Sequence, residues 1–316
     1  MIIKADLKYA SRELINRLWK EIIFSLLYSA LIYYLYEHHE LTFLSSFGVI
    51  PVGLLATMLS VFLAFRNNNA YGRWWEARQL WGEFINASRN FNMQIRSLIL
   101  EPCESGSLDL EEAKLVLIKR HVAYAHLLRM QLRGTVQFEP LEPYLTEDDI
   151  SLLQSSSNPC NQLLLIQGKY LEKLSQAGSL PDFRLIALSQ SLGRFYDVQG
   201  GCERIKKTPF PYEYNAIIHI LIWMLIASLP FYLLGLFAQD AVAEIGIIPL
   251  TVISTLLVGF ANKAGEVLED PFENRVHDVP LTSMCQTIES DLLGIQRNVE
   301  TTPASRFAIK ESWVSW

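Results

Sequence analysis

The side chains able to do chemistry in this 316-residue chain include six histidines, four cysteines and 33 carboxylates, and their spacing limits what they can do. His121 and His126 stand five apart on an expected helix, without the glutamate or the four-residue spacing by which a helix offers two imidazoles and a general base to zinc. Cys103, Cys160, Cys202 and Cys285 lie far apart with no paired spacing, which reads as isolated reduced thiols in a cytoplasmic setting. No phosphate-binding glycine loop, nucleophile elbow or pair of catalytic carboxylates can be placed. An enzyme is not expected, nor is a cofactor. His219 stands inside an apolar run, where a polar group has a role of its own or hydrogen-bonds a neighbouring helix carbonyl. One pattern does suit a function. Gly53, Thr57, Val61, Phe65 and Asn69 recur every four residues, so a helix carries them as a slowly rotating stripe, small or apolar until the final amide. A ring of such helices makes a narrow apolar constriction that gates by dewetting, although the same side chains also suit packing against neighbouring helices.

All of the stripe but Asn69 lies in an uncharged stretch of 25 residues, Leu41 to Phe65. At about 1.5 Å per residue this run is long enough to cross a hydrocarbon core of roughly 30 Å as a helix. Arg66, three asparagines and the pair Trp74-Trp75 follow, giving an interfacial anchor at the end of a helix that continues. Three further spans are read at about Ile22 to Tyr36, Tyr214 to Phe237 and Ile245 to Asn262. Half the residues are hydrophobic and 19% are charged, and mean hydropathy is slightly positive, as expected of a chain with membrane and aqueous parts. A net charge of −6 argues against nucleic acid as a partner.

Lysines and arginines flank one side of the spans. Lys4, Lys8, Arg12, Arg17 and Lys20 precede the first, Arg66 and Arg73 follow the second, Arg204, Lys206 and Lys207 precede the third, and Lys263 follows the fourth. The two short connections carry neither residue type, so both termini and the long middle segment are expected in the cytoplasm. The amino end, amphipathic and charged with both signs, does not read as a signal peptide. Between Arg66 and Glu213 helical patterns run through Trp75 to Phe91, Leu110 to Arg133, Asp148 to Leu174 and Asp182 to Arg204. Breakers fall at Gly106, Gly134 to Pro143, Ser155 to Pro159 and Gly178 to Pro181. No strand-like alternation, internal repeat or low-complexity tract is present. The expected fold class is all-α: a membrane part at about 20–66 and 214–263, and a cytosolic helical bundle at about 1–19, 67–213 and 264–316.

Arg73-Trp74-Trp75 after an apolar span, Gln199-Gly200-Gly201-Cys202-Glu203-Arg204-Ile205 leading to Thr208-Pro209-Phe210-Pro211, and Glu269-Asp270-Pro271-Phe272-Glu273 after the last span resemble the bestrophin family, particularly its bacterial branch. The order of spans agrees over roughly residues 1 to 295. The resemblance implies a homopentameric ion channel of a bacterial inner membrane, with four membrane helices per subunit, one pore on the fivefold axis, and membrane lipids and permeant monovalent ions as its other partners.

The resemblance also implies sites. The neck aligns with Thr57, Val61 and Phe65, with Asn69 as a polar lining residue beyond it. Many eukaryotic members carry phenylalanine at the position of Val61, where its positive ring edge faces an anion; this chain keeps only Phe65. Acidic clusters such as Glu147-Asp148-Asp149 and Glu269-Asp270 would raise local cation concentration if they face the pathway, so monovalent cations such as sodium are favoured over chloride. A second, cytosolic aperture is implied near the helix starting around Pro181, with Leu180, Leu185 and Ile186 as candidates. The calcium clasp of animal members would fall on Asp270, Glu273 and Asp278. Arg275 and His277 interrupt that cluster and Val267 replaces an expected amide, so helix capping and ion pairing are favoured there and no metal is expected.

Overall fold

The computed structural model describes residues 7–38, 52–100, 109–237, 245–275 and 277–294. All regular structure among them is helical: α1 Leu7–His38, α2 Val52–Leu98, α3 Leu110–Arg133, α4 Glu147–Gln154, α5 Pro159–Gln176, α6 Asp182–Lys207, α7 Tyr212–Phe237, α8 Ile247–Glu269 and α9 Leu281–Leu293, with a 3₁₀ turn at Glu139–Leu141. The chain divides into two compact units, 1–73 with 209–270 and 74–208 with 271–316. α1 is one helix from Leu7 to His38, running without a break from the expected cytosolic amino end into the first expected span.

Three helical stretches of the first unit are long and apolar enough to cross a membrane: Leu18–His38, Tyr212–Phe237 and Ile247–Glu269. Of the expected span Leu41 to Phe65, residues 41–51 lie outside the described residues. From Val52 the chain is helical through Phe65 and on without a break, so α2 is 47 residues long, or about 70 Å. Val52, Leu59 and Leu63 of α2 pack against Ile218, Leu221, Ile222, Leu225 and Ile226 of α7. The Tyr214 hydroxyl caps this contact by donating to the Phe62 carbonyl at 3.1 Å. On α1, Tyr28 donates to the Ala227 carbonyl at 3.0 Å and Phe24 meets Trp223 edge to face at 5.2 Å. Gly259 of α8 leaves room for Leu18.

In the second unit α3 is the central helix. Every residue from Arg120 to Met130 is buried, so the polar members of that run must find partners inside. Its ends are well specified. Asp109 accepts from the Glu111 and Glu112 amides at 3.0 and 3.3 Å, and Gly134 closes the helix at φ 67°, a conformation that favours glycine. Asn158 with Pro159 starts α5, accepting from the Asn161 amide at 3.1 Å. The core gathers Trp81, Phe84 and Phe91 of α2, Leu117 and Leu127 of α3, Leu163 and Leu171 of α5, Phe195 of α6 and Ile288 of α9. The sequence reading did not single out α9 as an element.

Candidate functional site

The candidate site is the outer face of α2. At about 100° per residue, Leu54, Thr57, Val61, Phe65, Asn68 and Gly72 share one face, and all are exposed in the single chain. Val61 is 48% and Phe65 61% exposed, while Leu59, Leu63 and Ala70 on the opposite face are buried. Farther along the same helix, within the second unit, Trp75, Gln79, Glu83 and Asn86 are exposed while Ala77, Trp81 and Phe84 are buried. Asn69 is exposed too, but it is turned about 80° from Val61 whereas Asn68 is turned about 20°. Strict four-residue spacing had drifted off the face. Thr57 donates its hydroxyl hydrogen to the Gly53 carbonyl at 2.8 Å, so its oxygen keeps only lone pairs to offer outward.

Directly after Phe65 the helix is fixed to α8. Arg66 is 1% exposed. Its guanidinium donates to Asn262 Oδ1 at 2.8 Å and to the Asn262 carbonyl. Asn67 donates to the Ala261 carbonyl at 2.9 Å, Asn262 donates to Glu266 at 2.8 Å, and Arg73 Nε donates to the Glu269 carbonyl at 2.9 Å. Glu266 and Glu269 lie close enough to balance the Arg66 charge, which a buried guanidinium requires. Gly265 makes the approach possible, since a Cβ there would collide with Asn67 Oδ1 and the Arg66 guanidinium. Arg66 was legible in the sequence only as a positive flank; its clasp depends on a partner 196 residues away.

The aperture candidates separate. Leu180 is 1% exposed and packs in the core of the second unit. Leu185 is partly buried against that core. Ile186 is exposed, and Phe183, which the sequence reading passed over, is 89% exposed.

Two of the three carboxylates named for calcium are engaged with other partners. Asp270 is exposed at the end of α8. Glu273 pairs with Lys206. Asp278 is buried and accepts from the Arg275 amide at 3.0 Å, and burial holds its carboxyl above the usual range. Among the described residues no group of three or more histidine, cysteine, aspartate or glutamate side chains is arranged to hold a metal. The cluster Glu147-Asp148-Asp149 is not wholly a solvated patch: Asp149 is buried in a two-pronged pair with Arg120 at 2.9 and 3.0 Å. Its neighbours Glu147 and Asp148 occupy the first turn of α4, where the helix dipole favours acids.

His121 is fully buried. Ser88 donates to the Phe84 carbonyl at 2.7 Å, so the ring nitrogen 2.9 Å from the Ser88 oxygen acts as donor. Burial pushes the His121 pKa down to about 3, leaving it neutral. His126 meets Glu289 at 3.3 Å, and Tyr144 donates to the same carboxylate at 2.5 Å. His219 is exposed on α7, and among the described residues it makes no hydrogen bond to a neighbouring helix. Cys160, Cys202 and Cys285 are free and buried; burial pushes the Cys202 and Cys285 thiols up to about 12, which keeps them unreactive. Cys103 lies outside the described residues.

The chain is similar to known proteins in sequence and fold. A crystal structure of a bacterial bestrophin homologue from Klebsiella pneumoniae superposes with a TM-score of 0.75 at 31% identity, covering 86% of this chain and 96% of that one. The voltage-dependent anion channel-forming protein YneE of Escherichia coli is 34% identical over 258 residues, 80% of this chain and 79% of its own length. A protein of Ralstonia nicotianae, also named voltage-dependent anion channel-forming, is 34% identical over 263 residues, 81% of each chain. The family model for bacterial and fungal bestrophin proteins matches residues 6–294. The chain therefore belongs to the bestrophin family, in its bacterial and fungal branch.

Proposed function

We propose that this chain is one subunit of a passive ion channel in a bacterial inner membrane, five copies arranged around a central pore with both termini in the cytoplasm. The observation that carries this reading is the exposed face of α2. A helix that buries one side and leaves Val61 and Phe65 bare on the other has an unmet apolar surface. Cyclic assembly places that surface on a shared axis. In this reading each subunit has four spans, the three long apolar helices supporting three of them and the uncharged sequence Leu41 to Phe65 the fourth.

In this reading Thr57, Val61 and Phe65 form the neck, Asn68 and Asn69 follow it, and Phe183 with Ile186 rings the cytosolic aperture. The neck resists wetting and opens by widening. It holds no charge of either sign, and the Thr57 ring presents oxygen lone pairs because its hydrogens are committed to Gly53. That chemistry suits monovalent cations such as sodium. A second reading, an anion channel of the same architecture, is supported by the printed names of the relatives. The reversal potential of the purified protein in a planar bilayer under a KCl gradient decides between them. The proposal expects a potential displaced toward the potassium equilibrium value, and a potential at the chloride value establishes the second reading.

A further inference from the structure

We propose that Glu83 sets the charge preference of the pathway, as a ring of carboxylates on its cytosolic side; this rests on the channel reading above. In the second-unit part of α2, Glu83 stands about 40° from Gln79 by helical register, on the exposed side that also carries Asn86. It is itself exposed, in a helix turn whose inward side is filled by Trp81 and Phe84.

From Trp75 to Ser97, Glu83 is the one ionic side chain within about 40° of the direction of Gln79, the others being apolar or neutral polar. The neighbouring charges are turned away or neutralised. Glu76 pairs with Arg204, Arg89 is held by Asp291 at 2.7 Å, and Arg78 is turned about 100° from the axis of the face. Among the described residues no cation pairs with Glu83. An uncompensated carboxylate repeated around an axis keeps its field inside a confined path, where walls of low dielectric focus it. Because the apolar neck offers no competing charge, this ring sets the local ratio of cations to anions. Its influence reaches roughly one Debye length, about 30 Å at 0.01 M and 3 Å at 1 M ionic strength.

The test is reversal potential in planar bilayers under a NaCl gradient for the wild type and the Glu83→Gln, Glu83→Lys, Glu172→Gln and Val61→Phe variants. Glu83 is exposed and Glu172 lies on the outer side of α5, so none of the charge substitutions enters the core. At ionic strengths near 0.01 M the cation-to-anion permeability ratio should fall about threefold in Glu83→Gln and further in Glu83→Lys. It should not change in Glu172→Gln, and the differences should disappear near 1 M. If Glu83→Gln leaves the ratio unchanged while Val61→Phe moves it, the pore stands where it was placed and Glu83 is not its charged ring. If neither variant moves it, the assignment of α2 to the pathway fails as well. The wild type gives a second measurement: a permeability ratio that does not change between low and high salt overturns the proposal without any substitution.

Discussion

Buried charges and protons in the second unit have consequences that single substitutions expose. Asp149 holds Arg120 through two hydrogen bonds, and the guanidinium also lies over the Tyr170 ring at 5.0 Å. Removing one partner leaves an uncompensated buried charge, so Asp149→Ala should cost about 3–5 kcal/mol. Asp148→Asn, on the exposed side of the same turn, should cost well under about 1 kcal/mol. Thermal unfolding in detergent compares the two, and equal losses would contradict the buried pair. His121 gives a pH signature. Its folded pKa is lowered to about 3 by burial, so between that value and about 6.5 the unfolded chain binds the extra proton. Stability is then fully present above about pH 6.5 and is lost as pH falls, by roughly 1.4 kcal/mol per pH unit inside the window. His121→Gln should flatten the fall in Tm between pH 7 and pH 5, and an unchanged slope would contradict the assignment. None of these roles was legible locally. Asp149 reads as one of three surface acids because its partner lies 29 residues away, and the exposure of Phe183 is decided by what α6 packs against.

Between elements, the Arg66 and Asn67 side chains of α2 lie against α8 at Gly265. Adding one methyl there forces Asn67 and Arg66 out of their hydrogen bonds with α8. Gly265→Ala should therefore destabilise by about 1–3 kcal/mol, read as a loss of Tm. A tolerated alanine would mean that the helices are farther apart. Helix identity was legible where local chemistry brackets the periodicity. Leu110 to Arg133 was read to the residue because Asp109 and Gly134 mark its ends, and the turn at Ser155 to Pro159 separates α4 from α5 where expected. The short α9 escaped notice although Leu281, Met284, Cys285, Ile288 and Leu292 line one face. Its first turn follows Pro280 with no side-chain cap, so the usual start signal is missing. It nonetheless pairs closely with α3, with Cys285 donating to the Ala125 carbonyl at 3.3 Å and Arg133 donating to Thr282 at 2.9 Å.

At the scale of the molecule, a subunit with a bare apolar stripe on α2 has no closed pathway of its own. The assembly should be a stable pentamer in mild detergent, with a protein mass by light scattering about five times the 36.1 kDa of one chain. A monodisperse monomer would remove the basis for a central pore. The all-helical class and the family were legible from apolar runs and short motifs, because both depend on local hydrophobicity and order along the chain. The position of the pathway depends on which helix face remains unburied, and only packing decides that.

Single-channel conductance of Phe65→Ala and Val61→Ala in planar bilayers is the most direct test that α2 lines the pathway. Shortening either side chain widens an apolar ring and lowers the cost of wetting it. Conductance should rise, more in Phe65→Ala than in Val61→Ala, with the pentamer retained. Conductance unchanged from wild type in both variants would place the pore elsewhere.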